Sequence, residues 1–319
     1  MSLIEKAAER LEELRRAGID TPGSEGEDMG VSHAIDQQEA GLPKAVSAAS
    51  MASEARTDSI ASSSATSAVA TQSRQVELDL AKLALAGFVT PNAPRSQTAE
   101  EFRVIKRPLI ANASGGRATP ITNGNLIMVT SSLPGEGKTF TAINLAMSIA
   151  TELDRSVLLV DADVARPSVP RILGLPTTRG LLDVLQNGPK DLGDALLRTN
   201  IEKFSVLTSG LSHERSTELL ASEQMARVLQ EMAHRYSDRI IVFDSPPLLI
   251  TTEARVLASH MGQIVFVVRA ETTLQSEVMQ ALTTIEACPV KLIVFNQAMT
   301  SGAGAAGTYG YRYGYRYAS

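Results

Sequence analysis

Six short, largely apolar runs punctuate the chain beyond Asn125: Leu126–Val129, Val157–Val160, Ser205–Leu207, Ile240–Phe243, Ile264–Val268 and Leu292–Phe295. Helix-length segments separate most of them. A strand with one wet face alternates polar and apolar residues, so runs without alternation suit strands buried on both faces, as in a parallel sheet covered by helices. The expected fold class is α/β, a doubly wound, mostly parallel sheet.

The first run leads into Ser131-Ser-Leu-Pro-Gly-Glu-Gly-Lys-Thr139, followed by an amphipathic stretch from Phe140 to Ala150. This is G-x-x-x-x-G-K-[ST] with Ser132 at the first glycine position. Strand, loop and helix stand in the order that a phosphate-binding loop requires. Gly135 and Gly137 let backbone N–H groups close around phosphate oxygens, and the helix turns its positive end toward the same anion. Leu133, Pro134, Gly135, Glu136, Gly137, Lys138, Thr139 and Phe140 are the expected nucleotide-binding residues. Lys138 supplies a point charge at the β and γ phosphates, and Thr139 places a hydroxyl to ligate Mg²⁺. ATP and Mg²⁺ are the expected cofactors.

Two more runs end in carboxylates, Val157-Leu-Leu-Val-Asp161-Ala-Asp163 and Ile240-Ile-Val-Phe-Asp244-Ser-Pro-Pro247. The carboxyl ends of parallel strands share one sheet edge, so Asp161, Asp163 and Asp244 are expected to converge on the metal and γ-phosphate. A helix N-cap is the plainer role for any one of them. Three in register with a phosphate loop weaken that role for the set, although it still suits Asp163.

Outside this region the chain changes character. Ser2-Leu-Ile-Glu5 matches a capping box, and Leu3, Ala7, Leu11 and Leu14 recur at helical spacing, so residues 1–17 predict a short amphipathic helix with a protein partner. Residues 18–75 are rich in Ser, Ala, Thr, Glu and Gly and bury too little apolar surface to offset ordering, which predicts a disordered linker. Order is expected to resume at Val76–Leu85. Thr98-Ala-Glu-Glu101 offers a second capping box, for a helix that ends near Arg107 or kinks at Pro108. Residues 76–298 form the expected catalytic domain.

Residues 299–319 form a tail in which Tyr309, Tyr311, Tyr313, Tyr315 and Tyr317 alternate with Gly and Arg. The preceding Gln297–Thr308 is a Gly/Ala-rich spacer with a typical span of ~20 Å. The tail therefore starts at the phosphate-loop edge if the last strand is parallel to its neighbour. The net charge of −5 argues against a basic nucleic-acid surface. Cys288 is the single cysteine and has no disulfide partner in the chain, the four histidines lack metal-ligand spacing, and no run approaches the ~20 residues of a membrane helix. A cytoplasmic location follows, with any recruitment to the inner face of the membrane left to a partner.

The three phosphate-site segments together resemble the Walker A, A′ and B motifs of bacterial tyrosine kinases, P-loop enzymes that control capsule and exopolysaccharide synthesis. The resemblance is nearest to the autokinases of exosortase-linked polysaccharide loci. Glu101-Phe-Arg-Val-Ile-Lys106, Thr217-Glu-Leu-Leu-Ala-Ser222 and the tyrosine-rich end are similar too. Two positions depart from the pattern. Ala165 stands where the family's second motif carries Arg, with Arg166 next, and Pro108 replaces a polar residue of the ring-assembly helix.

The resemblance implies transfer of the ATP γ-phosphoryl group to tyrosine, between subunits of a homo-oligomer that is ring-shaped in relatives. It implies Lys138, Asp161, Asp163 and Asp244 as catalytic residues, with Thr139, Asp161 and Asp244 about the metal and Asp161 accepting or orienting the phenolic proton. An ordinary carboxylate pKa is adequate for that step. A separate membrane-anchored chain-length determinant is the implied activator. The alternatives are a ParA- or MinD-like ATPase switch, whose signature Lys would occupy the position of Leu133, and a non-catalytic ATP-binding adaptor of an export machine. The tail alternatively stacks on RNA or self-associates, a reading that two Arg in an acidic protein disfavour.

Overall fold

The computed structural model describes residues 74–93, 96–115, 120–188, 192–236 and 238–298. All fall within the compact unit Thr66–Ser319. The expected N-terminal helix, most of the linker and the five tail tyrosines lie outside the described residues.

All six apolar runs are strands, each slightly longer than its run: β2 (Leu126–Ser131), β3 (Ser156–Asp161), β5 (Phe204–Leu207), β6 (Arg239–Asp244), β7 (Gln263–Arg269) and β8 (Val290–Asn296). Two short strands had no such signature, β1 (Arg74–Val76) and β4 (Leu197–Thr199). The sheet order is β1-β4-β5-β3-β6-β2-β7-β8, and every pairing is parallel except β4 with β5. Since β1 begins at Arg74, the sheet starts two residues inside the stretch expected to be linker.

The central strands read as unbroken apolar runs because alternate residues feed two cores. Leu126, Met128, Leu158, Val160, Ile241 and Phe243 enter one; Ile127, Val129, Val157, Leu159, Ile240 and Val242 enter the other. Helices α1 (Leu80–Leu85), α2 (Gln97–Ala113), α3 (Lys138–Ala150) and α4 (Val169–Leu173) cover the second core. Helices α5 (Leu181–Asn187), α6 (Leu192–Ala195), α7 (Ser216–Leu220), α8 (Glu223–Arg235), α9 (Thr252–Ser259) and α10 (Gln275–Thr283) cover the first.

Three local expectations need correction. The N-cap of α2 is Ser96, whose Oγ accepts from the Ala99 N–H at 3.1 Å, so the competing Thr98 box lies inside the helix. The same helix runs through Pro108 to Ala113, so of the two expected outcomes it does not end near Arg107. Pro108 is exposed, so the carbonyl deprived of its N–H partner can meet water, and Phe102 and Leu109 stay buried on either side. Finally, β8 is an edge strand with one wet face, where Ile293 and Phe295 are 44% and 68% exposed. Its unbroken apolar run does not reflect two-sided burial.

Lys106 anchors α2 to the C-terminal end of α3. Its ammonium, 2% exposed as a residue, donates to the Ser148 carbonyl and to Thr151 Oγ1 and pairs with Glu152 at 2.7 Å. A cation on the last carbonyls of a helix satisfies acceptors that the helix leaves over and complements its dipole. The helix fixed in this way is the one that begins at the phosphate loop.

Candidate functional site

The register of β2, β3 and β6 decides the site. Asp161 lies directly beside Asp244, and Val129 beside Asp244 on the other side, so both carboxylates end their strands where β2 enters the 131–139 loop. The connection after β6 is sewn to that loop. Thr130 Oγ1 donates to the Pro246 carbonyl at 2.8 Å, and Leu248 N–H donates to the Ser131 carbonyl at 2.9 Å.

Gly135 and Gly137 have φ of +85° and +96°, in the left-handed region where a Cβ is strained. A Cβ on Gly137 would also fall 1.9 Å from Asn296 Nδ2. No side chain caps α3, which leaves its first N–H groups for an anion. The loop instead holds itself. Glu136, 3% exposed, turns its carboxylate back to accept from the Leu133 N–H at 2.7 Å and from the Thr273 hydroxyl, while its carbonyl accepts from Asn296 Nδ2 at 2.9 Å. Asn296 is thus a loop-capping residue. Sequence gave no sign of Thr273, which reaches the loop only because the turn after β7 lies beside it.

A cavity of about 560 Å³ opens over the loop, lined by Gly135, Lys138, Thr139, Asp163, Arg166 and Arg171 among others. Pro134, Gly137 and Phe140 also line it, and the Phe140 ring packs on Phe88 with centroids 5.1 Å apart. Arg171, on α4, carried no motif signal. Arg166 lines the cavity beside Ala165, so a guanidinium faces the site despite the one-residue offset from the family pattern. Leu133 is half-buried, with no basic side chain at that position of the loop.

Asp161 and Asp244 are fully buried and do not line the cavity, whereas Asp163 does. Asp161 accepts from the backbone N–H groups of Asp163 (3.2 Å) and Val169 (3.1 Å), one at each oxygen, and so shapes the 162–168 turn. Asp163 accepts from the Arg166 N–H at 3.2 Å, a capping contact of the kind its position suggested. Both oxygens of Asp244 lack a hydrogen-bond partner. Thr139 stands close enough to lower its pKa, yet no hydrogen bond of regular geometry joins them.

Burial raises the pKa of all three carboxyls. Asp161 lies well above the ordinary range because of burial and then the neighbouring Asp244, and Asp163 is raised by burial against the pull of Lys138. Asp244 is pushed up to about 7, chiefly by burial. An ordinary carboxylate pKa is adequate for the step assigned to Asp161, but burial raises this one, and sequence spacing carries no measure of desolvation.

Orphaned carboxylate oxygens beside a hydroxyl fit a hard divalent cation. Among the described residues no cluster of three or more His, Cys, Asp or Glu side chains is arranged to hold a metal. Mg²⁺ takes one or two carboxylates and completes its shell with phosphate oxygens and water.

A parallel sheet with a phosphate loop at its carboxyl edge, an uncapped helix behind it and carboxylates on the adjacent strands defines a P-loop nucleotide-binding protein. The AAA domain family AAA_31 matches residues 124–297. The chain is 32% identical to the tyrosine-protein kinase YwqD of Bacillus subtilis (strain 168) over 219 residues, 68% of this chain and 88% of YwqD. It is 33% identical to the tyrosine-protein kinase ptk of Acinetobacter johnsonii over 56% of this chain, but spans only 24% of that longer relative. The solved kinase domain of the Escherichia coli tyrosine kinase ETK superposes with a TM-score of 0.55 at 25% identity, covering 70% of this chain and 84% of that domain. The chain belongs to the bacterial tyrosine-protein kinase family, within the AAA-domain P-loop proteins. No helix among the described residues is long and apolar enough to cross a membrane.

Proposed function

We propose that this chain is an ATP- and Mg²⁺-dependent protein-tyrosine autokinase whose acceptors are Tyr309, Tyr311, Tyr313, Tyr315 and Tyr317. One observation carries the reading. Lys138, Thr139 and Asp163 line a single cavity, and Asn296, the last residue of β8 before the tyrosine-rich end, is hydrogen-bonded to the loop that forms its floor.

The phenol oxygen attacks the γ-phosphorus, an O–P bond forms, the bond to the β–γ bridging oxygen breaks, and ADP leaves. Lys138 stabilises charge on the phosphoryl oxygens, and Arg166 and Arg171, which line the same cavity, add positive charge. Thr139 and Asp244 would hold Mg²⁺, with Asp161 beside them; the ion would neutralise phosphate charge. Asp161, sealed from the cavity and held by the Asp163 and Val169 N–H groups, would receive or orient the phenolic proton only once the 162–168 turn moves, whereas Asp163 lines the cavity where the phosphates would sit.

The remaining parts of the proposal are a homo-oligomer, a separate membrane-anchored chain-length determinant as activator, recruitment from the cytoplasm to the inner face of the plasma membrane, and control of exopolysaccharide polymerisation and export. Kinship to the exosortase-linked branch belongs with them. Leu133 stands where the lysine-signature switches carry Lys, which weighs against that reading.

Incubation with labelled ATP and Mg²⁺ tests the central claim. Wild type should label on tyrosine, and Lys138→Met and a truncation after Met299 should not. Phosphate release without tyrosine label would instead support an ATPase switch, and neither signal an adaptor. Asp161→Asn and Asp163→Asn compared at saturating Mg²⁺ separate the two roles, and wild-type labelling by Asp161→Asn would overturn its assignment.

A further inference from the structure

Glu136 is a charged residue inside the phosphate loop, yet it does not face the cavity. Pro134, Gly135, Gly137, Lys138 and Thr139 line that space and Glu136 does not; it is buried at 3% exposure. A carboxylate aimed at a triphosphate repels it, and a carboxylate buried without partners is costly, so this one has to be turned away and satisfied. Both conditions hold. One oxygen accepts from the Leu133 N–H at 2.7 Å, and the other accepts from the Thr273 hydroxyl.

Thr273 is itself held in place by the strands behind it. β7 runs beside β2, with Val267 opposite Ser131, so the turn after β7 emerges next to the loop after β2. That turn is tied down twice. The Thr273 N–H donates to the Arg269 carbonyl at 3.1 Å, and the Ala270 N–H donates to the Asn296 carbonyl at 2.9 Å. Asn296 in turn donates through Nδ2 to the Glu136 carbonyl. The β7 turn and the end of β8 therefore grip Glu136 by its side chain and by its backbone. Glu136 stands between Gly135 and Gly137, the two left-handed positions that curve successive N–H groups into an anion-binding concavity. Glycine loses more freedom on ordering than any other residue, so an outside hold lowers the cost of keeping this shape before an anion arrives.

We propose that Glu136 and Thr273 are positioning residues that pre-form the phosphate loop, and that the Thr273 hydroxyl, acting through the Glu136 carboxylate, sets nucleotide affinity without touching nucleotide. The carboxylate takes the Leu133 N–H out of the set offered to phosphate and ties the start of the loop to its glycine-flanked end. Thr273 locks the carboxylate in that direction. A loop already ordered spares the nucleotide the ordering cost. The benefit is tighter binding of nucleoside di- and triphosphates alike, not a faster chemical step. The role rests on nucleotide binding at this loop and is independent of the tyrosine acceptors.

Calorimetric titration of the full-length protein with ADP and Mg²⁺, beside its melting temperature, is the test. Thr273→Val keeps the side chain's shape but removes the donor, and should weaken ADP binding about tenfold, the effect of one buried acceptor left unpaired. Thr273→Ser restores the hydroxyl and should bind within about twofold of wild type. Glu136→Gln presents an amide N–H to one of the two donors, so it should bind at least as weakly as Thr273→Val. The double variant should be no weaker than Glu136→Gln alone, since both residues act through one contact. Equal ADP affinity in wild type and Thr273→Val overturns the proposal even if the melting temperature falls, because the contact then supports only the fold. Thr273→Ser binding as weakly as Thr273→Val overturns it too, as does a double variant whose loss is the product of the single losses. A wild type that binds no ADP removes the nucleotide reading of the loop and this proposal with it. ADP binding with the expected variant pattern but no tyrosine label supports the proposal and removes the autokinase reading alone.

Discussion

Replacing Asp244 with Asn should make the nucleotide-free protein more stable and destroy its activity. The carboxyl of Asp244 is fully buried, both oxygens lack hydrogen-bond partners, and its pKa is about 7 against an ordinary 3.8. A folded-state pKa above the unfolded value means that the unfolded chain releases this proton first as pH rises. Stability contributed by the group is therefore complete below the unfolded pKa and is lost as pH climbs through the folded one. A difference of about three pKa units corresponds to a loss of about 4 kcal/mol above pH 7. Asn cannot ionise and escapes the loss, but its buried amide N–H groups, left without acceptors, return about 1–3 kcal/mol. The net gain is about 1–3 kcal/mol near pH 8, or about 2–10 °C in melting temperature for a domain of this size. Near pH 5 most of the wild-type penalty has not yet developed, so the gain should vanish or reverse. Thermal unfolding without nucleotide or Mg²⁺ at both pH values measures it. A variant less stable than wild type near pH 8, or a shift independent of pH, would refute the desolvation argument.

Three further outcomes follow from the same geometry. Gly137→Ala should lose nucleotide binding, read by fluorescent ATP-analogue titration, because its Cβ would strike the Asn296 amide at a φ of +96°. Lys106→Met should destabilise the fold by about 1 kcal/mol in denaturant titration, since the Ser148 carbonyl and Thr151 Oγ1 both lose the buried ammonium and the carbonyl keeps only the Thr151 hydroxyl as a side-chain donor, while Glu152 is 42% exposed and can turn to water. Cys288 should resist iodoacetamide in the native protein and react after unfolding, because burial raises its thiol pKa and hides the sulfur.

The central strands and the phosphate loop were legible because their signals are local. A run such as Val157–Val160 must be buried on both faces, and Gly-x-Gly-Lys-Thr between a strand and a helix has one well-known geometry. The edges of the sheet were not legible. Leu292–Phe295 has the composition of a central strand, and only the sheet order puts it at the rim; Arg74–Val76 and Leu197–Thr199 are too short to leave a periodicity. Around the site, sequence brought Asp161, Asp163 and Asp244 to one edge, but could not say that Asp163 lines the cavity while the other two are sealed, or that burial raises all three.

Sequence by itself determined the strand set, the phosphate loop and the alternation of tyrosines, because each is written in neighbouring residues whose spacing matches a backbone period. Tertiary structure alone decided that Glu136 is clasped by Leu133, Thr273 and Asn296, that Arg171 lines the same cavity as Lys138, and that β8 ends the sheet with an apolar edge that no described residue pairs with. Those outcomes depend on which strands become neighbours and on how much water reaches each group, and neither quantity is carried by any stretch of chain taken alone.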